Sequence, residues 1–293
     1  MNHNVRAALW SASDKDHRFL FIRPVDILVA ASAGEAADIL SRVEKLCGNG
    51  LYAVGFLSYE SASGLDGALK THDPAKGVPF AWFALFENAK KFELPCDEKD
   101  IVFSDEWRAS VAEKEYSKNI TRIKEYLRRG DTYQVNYTMR LNSVFRGDPI
   151  NLFARLCRAQ RSDYCFFIET DNFAICSASP ELFFSLDGFK LVSRPMKGTM
   201  PRGMTLEEDE LREAKLRASE KDRAENVMIV DMIRNDMGRV AEAGSVRVTS
   251  SFDIEKYPTV LQMTSTVECQ TPESLAGIFR AMFPCASVTG APK

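Results

Sequence analysis

Leu182-Phe183-Phe184-Ser185-Leu186-Asp187-Gly188-Phe189-Lys190-Leu191-Val192-Ser193-Arg194 is the stretch that decides the fold. Two apolar runs flank Asp187-Gly188, the short turn signal of a β-hairpin. Just upstream, residues 164–169 and 173–178 read as two further strands. Strands that follow one another without intervening helices pair antiparallel, which excludes the alternating βα units of a Rossmann sheet. The class expected is α+β.

Working outward, the hairpin leads into Arg194-Pro195-Met196-Lys197-Gly198-Thr199-Met200-Pro201-Arg202-Gly203. Two prolines and two glycines predict an irregular loop there. A lysine held on such a loop can be placed and partly desolvated, which frees its amine as a nucleophile. A solvated lysine on a basic turn fits the same residues. On the other arm, Ser179-Pro180-Glu181 opens a strand that continues with apolar residues. A carboxyl group in that setting is a candidate general acid, with a water-exposed strand end as the alternative. The hairpin offers a way for Glu181 and Lys197 to converge on one pocket.

Further along, residues 205–236 read as one helical stretch. Asp222 and Glu225, three apart, share a helix face. Two carboxylates so placed suit Mg²⁺, and equally suit a charged face paired with Lys221 or Arg223. Val227-Met228-Ile229-Val230 and Met232-Ile233 make the helix nearly all apolar and predict its burial. Arg234, Asn235, Asp236 and Arg239 read as structural polar residues at its end. Strands at 245–249 and 259–268 follow, and Pro272 opens a last helix to Phe283.

The earlier half is mixed. A helix is expected over 36–46, stopped by Gly48-Asn49-Gly50, with strands at 52–59 and 80–86, the second buried on both faces. The charged segment 87–105 is the expected connecting loop. Residues 113–129 form an amphipathic helix with Ile120, Ile123 and Leu127 on one stripe. Residues 132–144 alternate apolar and polar as the cleanest strand of the chain, and 151–160 form another helix. Val288-Thr289-Gly290-Ala291-Pro292-Lys293 reads as a turn entering a helix capped by Thr289, so the last domain is expected to be incomplete at its C-terminal side.

Composition bounds the chemistry. The chain has 293 residues, 45% hydrophobic and 27% charged, with a net charge of −3. That balance describes a globular protein and gives no electrostatic case for nucleic acid or an anionic membrane. No apolar run approaches the length that spans a bilayer, and Met1 to Arg6 lacks the core of a signal peptide. The seven cysteines are scattered with no Cys-x-x-Cys pair, which points to a cytoplasmic protein without a disulfide framework. The histidines are His3, His17 and His72 only, so no imidazole base serves the later two-thirds of the chain. Chemistry there must run on carboxylates, lysine, amides and a hard metal. No glycine-rich segment matches a phosphate-binding loop.

Taken in order, the motifs are similar to those of the chorismate-utilising enzymes, and most closely to the aminodeoxychorismate synthase component I branch. They are Gly-Asp-x-Tyr-Gln-Val-Asn at 130–136, Ser-x-Ser-Pro-Glu at 177–181 and Pro-x-Lys-Gly-Thr-x-Pro-Arg-Gly at 195–203. Glu-Asn-x-Met-Ile-Val-Asp-x-x-Arg-Asn-Asp at 225–236 and Thr-Gly-Ala-Pro-Lys at 289–293 complete the set. The resemblance covers residues 110–293 strongly and the first hundred loosely.

It implies a large α/β sandwich of two mostly antiparallel sheets flanked by helices. Residues 1–105 would be its N-terminal part, and 106–293 the chorismate-binding catalytic region. It implies Lys197 and Glu181 as catalytic residues, Mg²⁺ on Glu225 and Asp222, and substrate contacts from Gln134, Gly198, Thr199, Gln262, Thr289 and Gly290. Lys197 resembles the lysine of aminodeoxychorismate synthases, where anthranilate synthases usually carry alanine. Gln134 replaces the water-activating lysine of isochorismate synthases, and Gln262 the histidine typical of anthranilate synthases. The implied reaction is amination of chorismate with ammonia from a glutamine amidotransferase subunit, on the way to 4-aminobenzoate and folate. The alternatives are anthranilate synthase component I and a non-catalytic fragment. The family continues beyond its Thr-Gly-Ala-Pro-Lys motif with further strands and a second metal-binding glutamate.

Overall fold

A computed structural model describes residues 5–95 and 101–292. The N-terminal half opens with β1 (Arg6–Trp10), β2 (Phe19–Ile22) and β3 (Asp26–Ala30). Helix α1 (Ala36–Gly48) is followed by β4 (Tyr52–Leu57) and β5 (Ala81–Phe86). β5 is the middle strand of an antiparallel sheet in the order β3-β5-β4. Its run of apolar residues is what a strand covered on both faces requires, and five of its six residues are buried. α1 lays Ile39 and Val43 on that sheet beside Leu28, Ala30, Ala81 and Leu85.

Next comes α2 (Glu113–Arg129), ended by Gly130 at φ 77°, a left-handed conformation that glycine adopts without a Cβ clash. The helix spans the expected residues, yet none of them is buried, and Leu127 is exposed. The expected strand at 132–144 is corrected. Only β6 (Gln134–Val135) and the pair Leu141–Asn142 lie in ladders. Alternation sets an extended backbone, but a strand also needs neighbours, and the described partners reach only its two ends. In the expected loop at 87–105, Lys90–Lys91 and Val102–Phe103 form short strands, and 96–100 lie outside the described residues.

Asp148 caps α3 (Pro149–Gln160) by accepting from the Ile150 amide at 3.1 Å. β7 (Tyr164–Glu169) and β8 (Ala174–Ser179) follow. They complete a sheet in the order β8-β7-β1-β2, with Lys90–Lys91 at its edge. β1 pairs antiparallel with β7 over Arg6↔Glu169 to Trp10↔Cys165. The two halves of the sequence therefore share one sheet. α3 covers it through Phe153 and Cys157 against Cys165 and Phe167.

The quoted hairpin forms as read. β9 (Leu182–Asp187) turns at Gly188 into β10 (Lys190–Arg194), and β11 (Met196–Pro201) follows after Pro195. The expected irregular loop at 194–203 is thus corrected to a strand interrupted by one proline. Pro195 breaks the run between two strands, and Gly198 takes up the irregularity at φ 106°. Next are α4 (Leu206–Ala218), α5 (Glu220–Gly238), β12 (Arg247–Lys256) and β13 (Val260–Gln270). The single helix expected over 205–236 is two helices, because Ser219 leaves the helical region at ψ 110° and caps α5. α6 (Leu275–Met282), the one-turn α7 (Ala286–Thr289) and β14 (Gly290–Ala291) end the described chain. The helix expected after Thr289 is instead a short strand, and α7 precedes it.

β13 organises this second sheet. β10 pairs with its residues 267–270 and β11 with 260–264, while β12 pairs with it over 261–268. Every described strand pair in the molecule is antiparallel. α5 covers one face of this sheet with Ile229, Val230, Ile233 and Met237, which cluster with Leu191 and Val267 of the sheet and Ile278 and Met282 of α6. Its opposite side is open: Val227 is 45% exposed, so the expectation of a wholly buried helix holds for one face only. α4 is tied to the end of β11 by Arg202, whose Nε donates to both Asp209 oxygens at 2.9 and 2.7 Å. Among the described residues no helix is long and apolar enough to cross a membrane. Among the described residues Cys47, Cys157, Cys165, Cys176, Cys269 and Cys285 form no disulfide, and Cys96 lies outside the described residues.

One buried amide fastens α5 to the sheet. Asn226 donates to the carbonyls of Lys197 (3.2 Å) and Met263 (3.4 Å) and accepts from Ser265 Oγ at 2.6 Å. Losing it strands three polar groups in the interior, each at a cost of about 1 kcal/mol or more. Asn226→Ala is expected to lower stability by about 3 kcal/mol, read as a shifted urea midpoint. A change within experimental error would mean that α5 docks by its apolar face alone.

Candidate active site

Glu181 follows a tight turn. Ser179 Oγ accepts from the Glu181 amide at 3.2 Å, and Pro180 ends β8, so the side chain turns off the sheet before β9 begins. It lines a cavity of about 340 Å³ with Leu57, Tyr59, Phe183, Phe283 and Ser287. This mostly apolar wall lifts the Glu181 carboxyl above the usual carboxylate range. Burial is the main cause. A hydrogen bond from Ser287, the Met196 amide at 3.4 Å and the charge of Lys197 oppose it.

Lys197 lies half-buried on β11, close enough for its ammonium to act on Glu181. The two residues singled out as nucleophile and acid are therefore together. The hairpin does this: β10 runs back along β9, with Arg194 opposite Leu182, and delivers Met196 and Lys197 beside Glu181. Thr199 and Gln262 are also together, directly opposite in the β11–β13 register, with Thr199 Oγ1 donating to Gln262 Oε1 at 3.0 Å.

Gly198 is forced by packing. A Cβ there would sit 3.1 Å from the Cβ atoms of both Asp222 and Met263, in a backbone conformation that side chains rarely adopt. That contact brings the start of α5 against the Lys197 strand. Ser219 Oγ donates to Asp222 Oδ2 at 2.5 Å, and Asp222 is half-buried. Glu225 lies one turn on, 42% exposed and 3.7 Å from Lys221. These carboxylates are hard oxygen donors on one helix turn, a set that suits a cation retaining several waters. Among the described residues no third ligating side chain joins them.

Gln134 and Gly290 meet through β6 and β14, where Gly290 pairs with Val135 and Ala291 with Gln134. A Cβ on Gly290 would fall 2.2 Å from the Gln134 carbonyl, so only glycine allows this approach. Gln134 Oε1 is buried with no hydrogen-bond partner among the described residues. The Thr289 hydroxyl donates back to the carbonyl of Cys285, the residue before α7, at 3.1 Å. Lys293 of the same motif lies outside the described residues.

Sequence reasoning assigned no role to Ser287 or Asn226. Asn226 sits inside the 225–236 motif, at the point where a charged stretch gives way to Val227, while Ser287 lies two residues before the 289–293 motif, a polar residue between Ala286 and Val288.

Residues 93–293 match the family model described as chorismate binding enzyme. Aminodeoxychorismate synthase component 1 of Klebsiella aerogenes is 47% identical over 189 residues, covering 64% of this chain and 42% of that protein. The protein of the same name from Escherichia coli (strain K12) is 41% identical over 198 residues, covering 67% of this chain and 44% of its own length. The chain thus spans less than half the length of these relatives. Among solved structures, anthranilate synthase component I from Streptococcus pneumoniae TIGR4 superposes with a TM-score of 0.79 at 21% identity. That match covers 94% of this chain and 74% of that one, a likeness of fold.

The Glu181 environment has a thermodynamic signature. Its folded-state pKa is raised above the ordinary 4.5, so the folded protein holds the proton more tightly than the unfolded chain. That contribution to stability is fully present below the unfolded value and is lost as pH rises through the folded one. Glu181→Gln, neutral at every pH, is expected to match the native melting temperature near pH 4 and to exceed it near pH 8. A gap that stays constant or narrows with rising pH contradicts the desolvated carboxyl.

Proposed function

Because the chain belongs to the chorismate-binding enzyme family, we propose that the whole protein is component I of an aminodeoxychorismate synthase. It would replace the 4-hydroxyl of chorismate by an amino group, giving 4-amino-4-deoxychorismate for 4-aminobenzoate and folate synthesis. The observation that carries this reading is the pairing of Lys197 with a desolvated Glu181.

In this reading the neutral Lys197 amine forms a bond to ring carbon 2, the two conjugated ring double bonds shift, and the carbon 4–oxygen bond breaks. Glu181 gives its proton to the departing hydroxyl, which leaves as water. Ammonia then bonds to carbon 4, the two double bonds shift back, the carbon 2–Lys197 bond breaks, and the new ammonium returns a proton to Glu181. Splitting one hard substitution into two easier ones is the usual gain of covalent catalysis. Glu181 suits the acid role because burial keeps its proton at higher pH than a solvated carboxylate would. Gln134 Oε1, a buried acceptor without a partner among the described residues, suits an N–H of ammonia.

Glu225 and Asp222 are the residues we assign to Mg²⁺, whose charge would bind the ring carboxylate. Thr199, Gln262, Gly198, Thr289 and Gly290 are assigned to substrate contact. Ammonia is assigned to a glutamine amidotransferase subunit. The chain has no histidine after His72 to serve a thiol glutaminase in the matched region.

Lys197→Ala in the full-length protein is expected to lower amination by about a hundredfold or more. Peptide mass spectrometry of the native protein should trap a chorismate-derived adduct on Lys197. A variant that aminates at the native rate overturns the covalent route. Release of anthranilate and pyruvate, in place of a product that retains its side chain, would make the protein an anthranilate synthase. The full-length protein should use ammonium salts alone at high pH and need its partner to use glutamine. Glutamate released from glutamine by the lone subunit contradicts that division.

A further inference from the structure

The irregularity of β11 at Lys197 has a counterpart on the other side of β13. There β12 also carries one residue more than its partner, between Ser250, opposite Thr266, and Asp253, opposite Thr264. Phe252, inside that bulge, sits at φ 61°. A bulky residue seldom takes this left-handed conformation, and one that does is held there by its surroundings. Arg223 of α5 lies over its ring, 4.8 Å from the centroid. What the conformation delivers is an N–H: the Phe252 amide donates to Ser265 Oγ at 3.3 Å.

Ser265 passes this on. Its oxygen accepts from Phe252, and its hydroxyl donates to Asn226 Oδ1 at 2.6 Å. Backbone carbonyls only accept, so the other end of the amide must face them. Asn226 Nδ2 accordingly donates to the carbonyls of Lys197 at 3.2 Å and Met263 at 3.4 Å. The hydroxyl thus fixes which way round the amide sits. Ser265 and Asn226 are each 1% exposed, so this relay lies inside the core.

The run Pro195-Met196-Lys197 is gripped on both sides of the candidate nucleophile. Ahead of it, the Ser265 amide donates to the Pro195 carbonyl at 3.3 Å, and the Met196 amide donates to Glu181 Oε1 at 3.4 Å. Behind it, the Lys197 carbonyl rests on Asn226, and Thr199 holds Gln262. A bulge re-aims the side chains it carries, and a slip of one residue turns a strand's side chains to the other face. Docking of α5 does not require this grip, since Ile229, Val230, Ile233 and Met237 already bury its inner side. Asn226 also follows Glu225 and lies one turn after Asp222, so it sets the spacing between the Lys197 strand and the carboxylate turn.

We propose that Asn226 is a positioning residue for the amination and that Ser265 orients it: the buried relay Phe252–Ser265–Asn226 holds the Lys197 carbonyl and so aims the Lys197 amine at the reacting ring carbon. This rests on Lys197 being the nucleophile of the reaction. An amine on a four-carbon stem loses its alignment when its backbone turns, and a misplacement on the order of 1 Å costs about a hundredfold in rate.

The test uses the full-length protein with chorismate and magnesium ions and without ammonia, so that the adduct is the species read. Samples quenched over time give the first-order rate constant of adduct formation on Lys197 by peptide mass spectrometry. That constant does not depend on how much of a sample is folded. Ser265→Ala and Asn226→Ala are expected to lower it roughly tenfold or more, and in steady-state amination kcat should fall likewise at little-changed KM for chorismate. Phe21→Ala, which empties a buried position in the first sheet, is expected to lower the melting temperature at least as much and to leave the rate constant native. Ser265→Ala keeps the apolar docking residues of α5 and decides the matter if Asn226→Ala does not fold.

A native rate constant in Ser265→Ala overturns the relay, and one in Asn226→Ala overturns any positioning part for the amide. Equal slowing by Phe21→Ala points to general loosening and also overturns the proposal. Amination by the native protein with no adduct on Lys197 overturns Lys197 as the nucleophile, and the proposal falls with it.

Discussion

The irregularity in β11 at Lys197 and Gly198 is the constraint on which the site depends. Between Met196, opposite Thr264, and Thr199, opposite Gln262, the strand carries one residue more than its partner. A bulge of this kind leaves backbone carbonyls without ladder partners, and buried carbonyls do not stay unpaired. Asn226 reaches from α5 to the Lys197 and Met263 carbonyls and meets that demand. Gly198 makes the geometry possible by taking φ 106° where Asp222 and Met263 leave no room for a Cβ. Helix, bulge and candidate nucleophile are one arrangement: without the amide, the bulge would have no reason to persist.

Around that bulge the candidate residues fall into a line of short links. Glu181 accepts from the Met196 amide and shares a cavity with Ser287. Ser287 belongs to α7, which runs into Gly290, and Gly290 packs on Gln134. On the far side of the bulge, Thr199 holds Gln262 across the ladder. Each link is a backbone contact or a short side chain, which keeps positional error small. The cost lies at Glu181, a carboxyl kept from water where an amide or an apolar residue would be more comfortable. Functional sites commonly hold such locally unfavourable groups because the surrounding fold over-determines them.

The N-terminal part, which precedes the family model's match at 93–293, takes part in this. It shares a sheet with β7 and β8 through β1, and it supplies Leu57 and Tyr59 to the chamber behind Glu181. α2 and the extended segment after it leave apolar side chains open: Leu127, Tyr133, Met139 and Leu141 are all exposed. Their alternation and helical stripe are evident from local pattern alone, and pattern says which side of an element is apolar without saying what lies against it.

The sequence by itself determined a good deal. It showed the Asp187-Gly188 hairpin, the ends of α1 and α2 at glycine, the two-sided burial of β5, and the antiparallel class, because local turn chemistry and periodicity carry those signals. It also marked Glu181 and Lys197 as a pair, since a hairpin returns its second strand to where its first began. Only the tertiary structure decided the rest. The segment at 194–203 is strand because β13 offers it a ladder, and 132–144 is mostly not, because the described ladder partners reach only its ends. The helix breaks at Ser219 because its hydroxyl caps the next turn better than the chain could continue, a balance that composition does not reveal. Asn226 reaches a carbonyl 37 positions away, and Ser287 comes to line one cavity with Glu181, 106 positions away; proximity over such separations is made by packing rather than by any local pattern.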